Sequence, residues 1–182
     1  MLTCPVCKTL LPEGICFCAR CKCEFVKHTF APVFANDSRI LILGTIPSPK
    51  SREVCFYYGH NGNRFWKIMS VLYNSAVETI ADKTKLILDN RLALWDVLAS
   101  CWIKGAKDDS IIQPEPNDFS HMFALSKIER VLCTGTKAFC LYQKYCKDKT
   151  GIKAEKLPST SPRNARFSQA ALLNAYRAAL NL

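Results

Sequence analysis

No stretch of this chain approaches the roughly 18–20 consecutive apolar residues that a membrane-spanning helix needs. The start, Met1-Leu2-Thr3-Cys4, lacks the basic opening and apolar run of a secretory signal. Neither a membrane association nor export is therefore expected, and a cytoplasmic location is. Internal repeats and low-complexity tracts are absent. So is a Gly-x-Gly-x-x-Gly loop, which argues against a doubly wound domain built to bind a small-molecule cofactor. Acidic residues are scarce: 15 Asp and Glu face 25 Lys and Arg, for a formal charge of +10. Residues 1–30 hold four basic and two acidic side chains, so the rest of the chain carries +8 of that +10. A basic excess of this kind suits a polyanion such as nucleic acid, although many soluble proteins are basic without one.

Cysteine is plentiful by contrast. Of 11 cysteines, six fall between Cys4 and Cys23, and Cys55, Cys101, Cys133, Cys140 and Cys146 are scattered. Scattered thiols without an export signal fit a reducing compartment, where they serve as small buried apolar groups. The dense cluster contains Cys-x-x-Cys-Lys twice, at Cys4/Cys7 and at Cys18/Cys21. Each pair can clamp one edge of a metal ion, and the two pairs together supply a tetrahedral thiolate set. A segment this short cannot bury enough apolar area to fold alone, so the metal would supply most of its folding energy. Structural zinc on Cys4, Cys7, Cys18 and Cys21 is the reading adopted. A disulfide framework, an iron–sulfur cluster and free thiols are the alternatives, and Cys16 or Cys23 could replace Cys18 or Cys21. A closed four-thiolate site leaves no open position for catalysis.

At 182 residues the chain suffices for one compact core with a small appendage. The expected division is a Cys-rich zinc knuckle over residues 1–25 and a main domain over 26–182, with 24–38 as linker and approach. Residues 39–43, 92–97 and 129–135 are apolar runs that read as buried strands, and 153–157 reads as a fourth, short one. Helices are expected over 63–74, 78–90, 118–126, 136–147 and 166–181, and a polar loop over 104–118. Alternating strands and helices predict an α/β fold: three layers, α/β/α, around a mostly parallel four-stranded sheet. Ligands in such folds sit beyond the carboxyl ends of the strands, which singles out the loops after Leu43, Val97 and Leu157.

The first of those loops reads Gly44-Thr45-Ile46-Pro47-Ser48 and leads to Tyr57-Tyr58-Gly59-His60-Asn61-Gly62-Asn63-Arg64-Phe65-Trp66. Composition alone allows a loop lining the core, with Asn63 as a helix N-cap. The motifs say more. Gly-Thr-Ile-Pro-Ser followed by Tyr-Tyr-Gly-His-x-x-Asn-Arg-Phe-Trp resembles the uracil-DNA glycosylase superfamily, near its mismatch-specific branch and nearer its hypoxanthine (deoxyinosine) branch. Leu94-Trp95-Asp96-Val97-Leu98, Asp109-Ser110-Ile111, Asn117-Asp118-Phe119 and Leu157-Pro158-Ser159-Thr160-Ser161-Pro162 continue the resemblance in order, over roughly residues 30–180. Mismatch-specific relatives position the attacking water with an Asn where this chain has Ile46. The hypoxanthine branch lacks that Asn too and is thought to use the one before Phe-Trp, here Asn63. Its usual Pro after the His is Asn61 in this sequence.

The resemblance implies a monofunctional glycosylase that flips a deaminated base out of DNA and hydrolyses its bond to deoxyribose. Asn63 is the implied catalytic group, orienting water through its carbonyl or donating to the departing base through its NH2. Gly44, Ile46, Pro47, Ser48, Tyr58 and His60 are the implied substrate-binding residues, with the base stacked on Tyr58. His60 serves equally well as a structural loop residue, and Asp96 as a loop cap. Ser159, Ser161, Arg163 and Asn164 are assigned to gripping DNA, near Lys153, Lys156 and Arg166; a plain solvated turn is the alternative. The expected partner is DNA containing a deaminated base. No metal is needed for the chemistry, no Lys is placed for strand cleavage, and a monomer is expected. Two other functions remain in play. One is an enzyme of the same fold that prefers uracil; the other is a zinc-ribbon nucleic-acid binder without catalysis.

Overall fold

The computed structural model describes residues 2–182. The N-terminal segment holds β1 (Leu2–Thr3), β2 (Leu10–Leu11), β3 (Phe17–Cys18) and β4 (Cys23–Lys27). Next come β5 (Ile40–Gly44), α1 (Pro49–Glu53), α2 (Phe65–Tyr73), α3 (Ile80–Asp89), β6 (Leu92–Asp96), β7 (Leu98–Ile103) and β8 (Ile112–Pro116). The chain ends with α4 (Ser120–Leu125), β9 (Arg130–Thr134), α5 (Thr136–Tyr145), α6 (Lys147–Thr150), β10 (Ala154–Leu157) and α7 (Gln169–Leu180). None of the described helices is long and apolar enough to cross a membrane.

The central sheet is parallel throughout, in the order β10-β9-β5-β6. Strands β5, β6 and β9 are apolar on both faces because both faces are covered, while the edge strand β10 exposes Glu155 and Lys156. Leu41, Leu43, Ala93, Val131 and Cys133 enter one core, and Ile42, Leu92, Leu94 and Leu132 enter the other. Full burial of each such Leu, Ile or Val contributes about 1.5–3 kcal/mol. α2, α3 and α7 cover the second face through Ile68, Met69, Ile87, Leu172 and Tyr176. α4 and α5 cover the first through Met122, Leu141 and Tyr142. The architecture is the three-layer α/β/α expected from the sequence. Local signals set the helix ends. α3 starts in a reciprocal capping box between Thr79 and Asp82, α7 starts on the Ser168 hydroxyl, and α2 stops at Asn74 in a left-handed cap.

A second, antiparallel sheet orders β3-β4-β7-β8, which the sequence pattern does not predict. β4 lies where a linker is expected and pairs with β7 from Glu24–Ile103 to Lys27–Ser100. The expected domain boundary at 25/26 therefore falls inside a strand, and the Cys-rich segment and the main domain share one sheet. Val26, Cys101 and Ile103 of that sheet belong to the first core. β8 lies in the stretch expected to be a polar loop. It carries Pro114 and Pro116 and pairs irregularly with β7, which an edge strand tolerates because proline has no N–H to donate. β7 begins at Leu98, immediately after β6, so no loop follows Val97.

The strand order reverses between β5 and β9, the switch point at which a crevice opens in such sheets. Register aligns the carboxyl ends there. Gly44 lies beside Asp96, Leu43 beside Cys133, and Thr134 beside Leu157.

Candidate active site

A cavity of about 1000 Å3 opens at those strand ends. Its walls are the 44–48 loop, Tyr58, Asn63, the 105–110 connection between β7 and β8, the 134–136 turn and the 156–164 loop. Of the residues assigned to the site from sequence, Gly44, Ile46, Pro47, Ser48, Tyr58, Asn63, Ser159, Ser161, Arg163 and Asn164 all line it. His60 does not. It is exposed, and its Nδ1 accepts the Gly62 N–H at 3.0 Å, so it acts within its own turn.

The floor is polar. Asp96 ends β6 and is 6% exposed. A Cβ on Gly44 would lie 2.3 Å from Asp96 Oδ1, so glycine is the one residue that lets the carboxylate sit there. The other oxygen, Oδ2, accepts from Nε2 of the buried His28 at 3.0 Å. His28 is wedged among Phe30, Tyr57 and Trp95, with ring centroids 4.6–6.4 Å away. Asn117 Nδ2 ties down the Asp96 carbonyl at 2.8 Å. Tyr58 has a left-handed φ of 53°, and its ring stacks on Phe65 at 3.9 Å and 18°. Its hydroxyl lies 3.2 Å from Thr134 Oγ1, which itself donates to the Leu43 carbonyl at 3.1 Å. Thr134 has one hydroxyl hydrogen, so Tyr58 is the donor of that pair. Burial, with Tyr176 and Asp96 nearby, holds the Tyr58 phenol well above its usual range, so it stays protonated.

Asn63 stands at the entry to α2. Its Oδ1 accepts the Phe65 N–H at 3.0 Å, while no described residue takes its Nδ2 hydrogens. Next to it, Arg64 does work that the motif does not reveal. Its guanidinium donates to the carbonyls of Ser161 (3.3 Å), Asn164 (2.9 Å) and Phe167, and its backbone N–H to that of Thr160 (3.0 Å). The 159–164 loop also secures itself: Asn164 Nδ2 donates to the Ser159 carbonyl at 2.8 Å, and the Ser159 and Ser161 hydroxyls accept backbone N–H groups two residues on. The amide of Asn164 is thus occupied within the loop. Arg163 reaches across the mouth to the Ala106 carbonyl at 3.3 Å and joins the two lips. On the far wall, Thr45 donates to Asp108 Oδ2 at 3.0 Å, and burial holds the Asp108 carboxyl above its usual range. Ser110 fastens its own loop by accepting from the Lys104 N–H and donating to the Lys107 carbonyl.

β4 reaches the same site from behind. Glu24 receives Arg52 Nη2 at 2.8 Å, and Arg52 Nη1 donates to the Pro47 carbonyl of the cavity loop at 3.2 Å. No sequence signal marks His28 or Glu24, because both lie in the stretch that reads as knuckle and linker.

The two Cys-x-x-Cys-Lys copies fold alike. Lys8 and Lys22 both adopt left-handed φ, near 60°, and donate their N–H groups to the Cys4 and Cys18 carbonyls at 3.0 and 2.8 Å. The sulfurs of Cys4, Cys7, Cys18 and Cys21 lie within 4.8 Å of one another, close enough to hold a metal ion. Cys23 is buried and Cys16 exposed, and neither belongs to the set. The Thr9 hydroxyl and N–H pull the Cys7 thiol down to about 6. At Cys18 the Cys21 N–H pulls the same way, but burial and the neighbouring Cys7 sulfur prevail and push it up to about 11. Four thiolates this close need a cation among them to ionise together.

No family model matches the chain. The hypoxanthine DNA glycosylase of Methanosarcina acetivorans is 32% identical over 146 residues, which cover 79% of this chain and 92% of that one. The hypoxanthine DNA glycosylase of Methanosarcina barkeri is 32% identical over 115 residues, 62% of this chain and 73% of that one. Among solved structures, the solution NMR structure of a candidate uracil DNA glycosylase from Methanosarcina acetivorans superposes with a TM-score of 0.67. It is 31% identical and matches 84% of this chain and 97% of its own.

Proposed function

The chain belongs to the hypoxanthine DNA glycosylase family, and from that membership and the cavity we propose that it excises hypoxanthine from deoxyinosine in DNA. It is an enzyme of base excision repair, a hydrolase of the N-glycosidic bond. A stacked base is out of reach, so the deoxyinosine turns out of the duplex, at a cost of a few kcal/mol that mispairing lowers. The cavity receives it at the sheet's switch point. Phe65 already covers one face of the Tyr58 ring, so the other face and the edge meet the base.

Cleavage leaves the electron pair of the C1′–N9 bond on the base and positive charge on the sugar. Water adds its oxygen to C1′, and its proton ends on the departing base. The Phe65 N–H takes one of the two lone pairs of the Asn63 carbonyl, whereas both Nδ2 hydrogens are uncommitted, and the role assigned to this residue is donation from Nδ2 to the base as it becomes an anion. A donor aimed at such developing charge contributes about 3–4 kcal/mol. The observation that carries this reading is the uncommitted Nδ2 of Asn63 on the wall of a cavity roomy enough for a flipped nucleotide. Asn63→Ala is expected to lower the single-turnover rate by about 10²–10³-fold while duplex affinity is retained. The assay is release from oligonucleotides carrying inosine, uracil or xanthine, followed by alkali. Uracil released faster than hypoxanthine would replace the substrate, and DNA binding without release of any base would leave only a binder.

Ser159, Ser161 and Arg163 rim the cavity beside Lys156 and Arg166, and we assign this edge to the DNA backbone. The four clustered cysteines hold zinc in this reading, in a structural role with no open position. Metal analysis finding well below one zinc per chain would remove that assignment.

A further inference from the structure

Asp96 is left without a task by the mechanism above, yet it occupies the floor of the cavity. A buried carboxylate is costly unless something binds it. Oδ2 has His28. Oδ1, above Gly44, has no partner among the described residues and faces the open cavity, where a ligand can reach it. A metal does not account for it, because the Cys4, Cys7, Cys18 and Cys21 set is the one group of described ligand atoms close enough to hold an ion.

The chemistry of deamination offers a partner. Adenine and cytosine present a ring nitrogen beside the amino-bearing carbon, and that nitrogen is an acceptor. Deamination converts the carbon to a carbonyl and puts a hydrogen on the same nitrogen. Hypoxanthine, uracil and xanthine share this lactam N–H, which adenine and cytosine lack. A carboxylate only accepts, so it pairs with hypoxanthine or uracil and opposes adenine or cytosine lone pair to lone pair; guanine and thymine carry the same N–H and are not excluded by this contact. Resting on the glycosylase reading above, we propose that Asp96 is the specificity residue that accepts the lactam N–H of the flipped base, with His28 as the positioning residue that fixes its orientation.

Three features support the assignment. The imidazole N–H engages Oδ2 and prevents the carboxylate from turning, which leaves Oδ1 as the reading atom. The Tyr58 hydroxyl hydrogen is committed to Thr134, so the neighbouring phenol oxygen is also an acceptor. Asn63 supplies donors on another part of the wall, where the base's carbonyl or departing nitrogen would lie. A lactam presents both polarities side by side, and an amidine presents them reversed. Sites built to hydrogen-bond one partner reject its counterpart strongly, because the mismatch leaves buried groups unpaired.

Binding isolates recognition from bond breaking. Duplexes carry 2′-fluoroarabino-inosine or 2′-fluoroarabino-nebularine opposite the same base; these resist hydrolysis, and the nebularine ring nitrogen is an acceptor. The wild-type protein is expected to prefer inosine about 10-fold or more. Asp96→Asn, whose amide can donate or accept, is expected to bring the two within about 3-fold, with affinity for undamaged duplex unchanged. His28→Ala should lose part of the preference and His28→Gln, which retains a donor, should recover it. Thermal melting checks each variant; if D96N fails to fold, the wild-type preference and the His28 pair carry the test. A wild-type protein without the preference, or a folded D96N that keeps it, overturns the proposal. Failure of the glycosylase reading would look different: no base released from inosine or uracil DNA by the wild type.

Discussion

At the scale of the residue, Gly44 and Asp96 are one feature. The parallel register sets them side by side, and a methyl group at position 44 would occupy the place of the Asp96 oxygen. Gly44→Ala is expected to cost about 1–3 kcal/mol of stability through overpacking. Base release should fall further than that loss alone would cause, which a melt and a single-turnover rate on one sample can show. Asp108 gives a prediction in pH. Its carboxyl is raised by burial, so the folded state holds a proton that the unfolded chain would release. Stability therefore falls as pH rises from the ordinary aspartate range through the raised value. Asp108→Asn removes that slope, and the variant's Tm should exceed the wild type's at pH 7 by more than it does at pH 3.5. Asn63, Tyr58 and the 44–48 loop are legible in the sequence because they sit in one ordered motif. Arg64 belongs to the same motif, but its work is hidden there. The carbonyls it binds lie 97–103 residues downstream, and carbonyls leave no mark in a sequence. His28 and Asp96 are 68 residues apart and meet because β4 pairs with β7, a partnership that no pattern in either strand announces.

At the scale of the element, three strands of the parallel sheet, β5, β6 and β9, announce themselves as short apolar runs buried on both faces, whereas β10 carries the exposed Glu155 and Lys156 between two buried residues. β4 and β8 do not announce themselves. Cys-Glu-Phe-Val-Lys is too short and mixed to stand out beside six cysteines, and two prolines make β8 resemble a loop. The consequence concerns the cysteine cluster. β4 leads straight from the Cys21 knuckle to Glu24 and His28, which act on the Pro47 carbonyl and on Asp96. With zinc on the four cysteines as proposed above, its removal is expected to take hydrogen-exchange protection from β3 and β4 while β5 and β9 retain theirs, and to slow base release through Glu24 and His28. Protection unchanged in β4 after complete removal would refute that coupling. The Glu24–Arg52 pair alone is partly exposed, and Arg52→Ala should cost roughly 0.5–1 kcal/mol by denaturant titration.

At the scale of the whole molecule, the shared antiparallel sheet makes the two expected domains one body. A fragment of residues 26–182 would cut β4 in two and bare half of its paired edge on β7, so it is expected to aggregate or melt well below the full chain. The charge of +10 also gains a location, since Lys107, Lys156, Arg163 and Arg166 stand around the cavity. Lys156→Ala and Arg166→Ala should each weaken binding to any duplex. For every phosphate left without its cation, the slope of log affinity against log salt should become shallower by about one.

Arg64 and Asn63 are consecutive, and the arginine is fastened to the very stretch that rims the DNA side of the cavity. In the proposed reading, a polynucleotide seated on residues 159–167 would bear, through Arg64, on the neighbouring Asn63 amide. A lone nucleoside is small enough to enter but has no strand with which to press. Deoxyinosine free in solution should thus survive incubation intact, as chromatography would record, while the same nucleoside embedded in a duplex is consumed, at a pace that grows with the length of strand on either side.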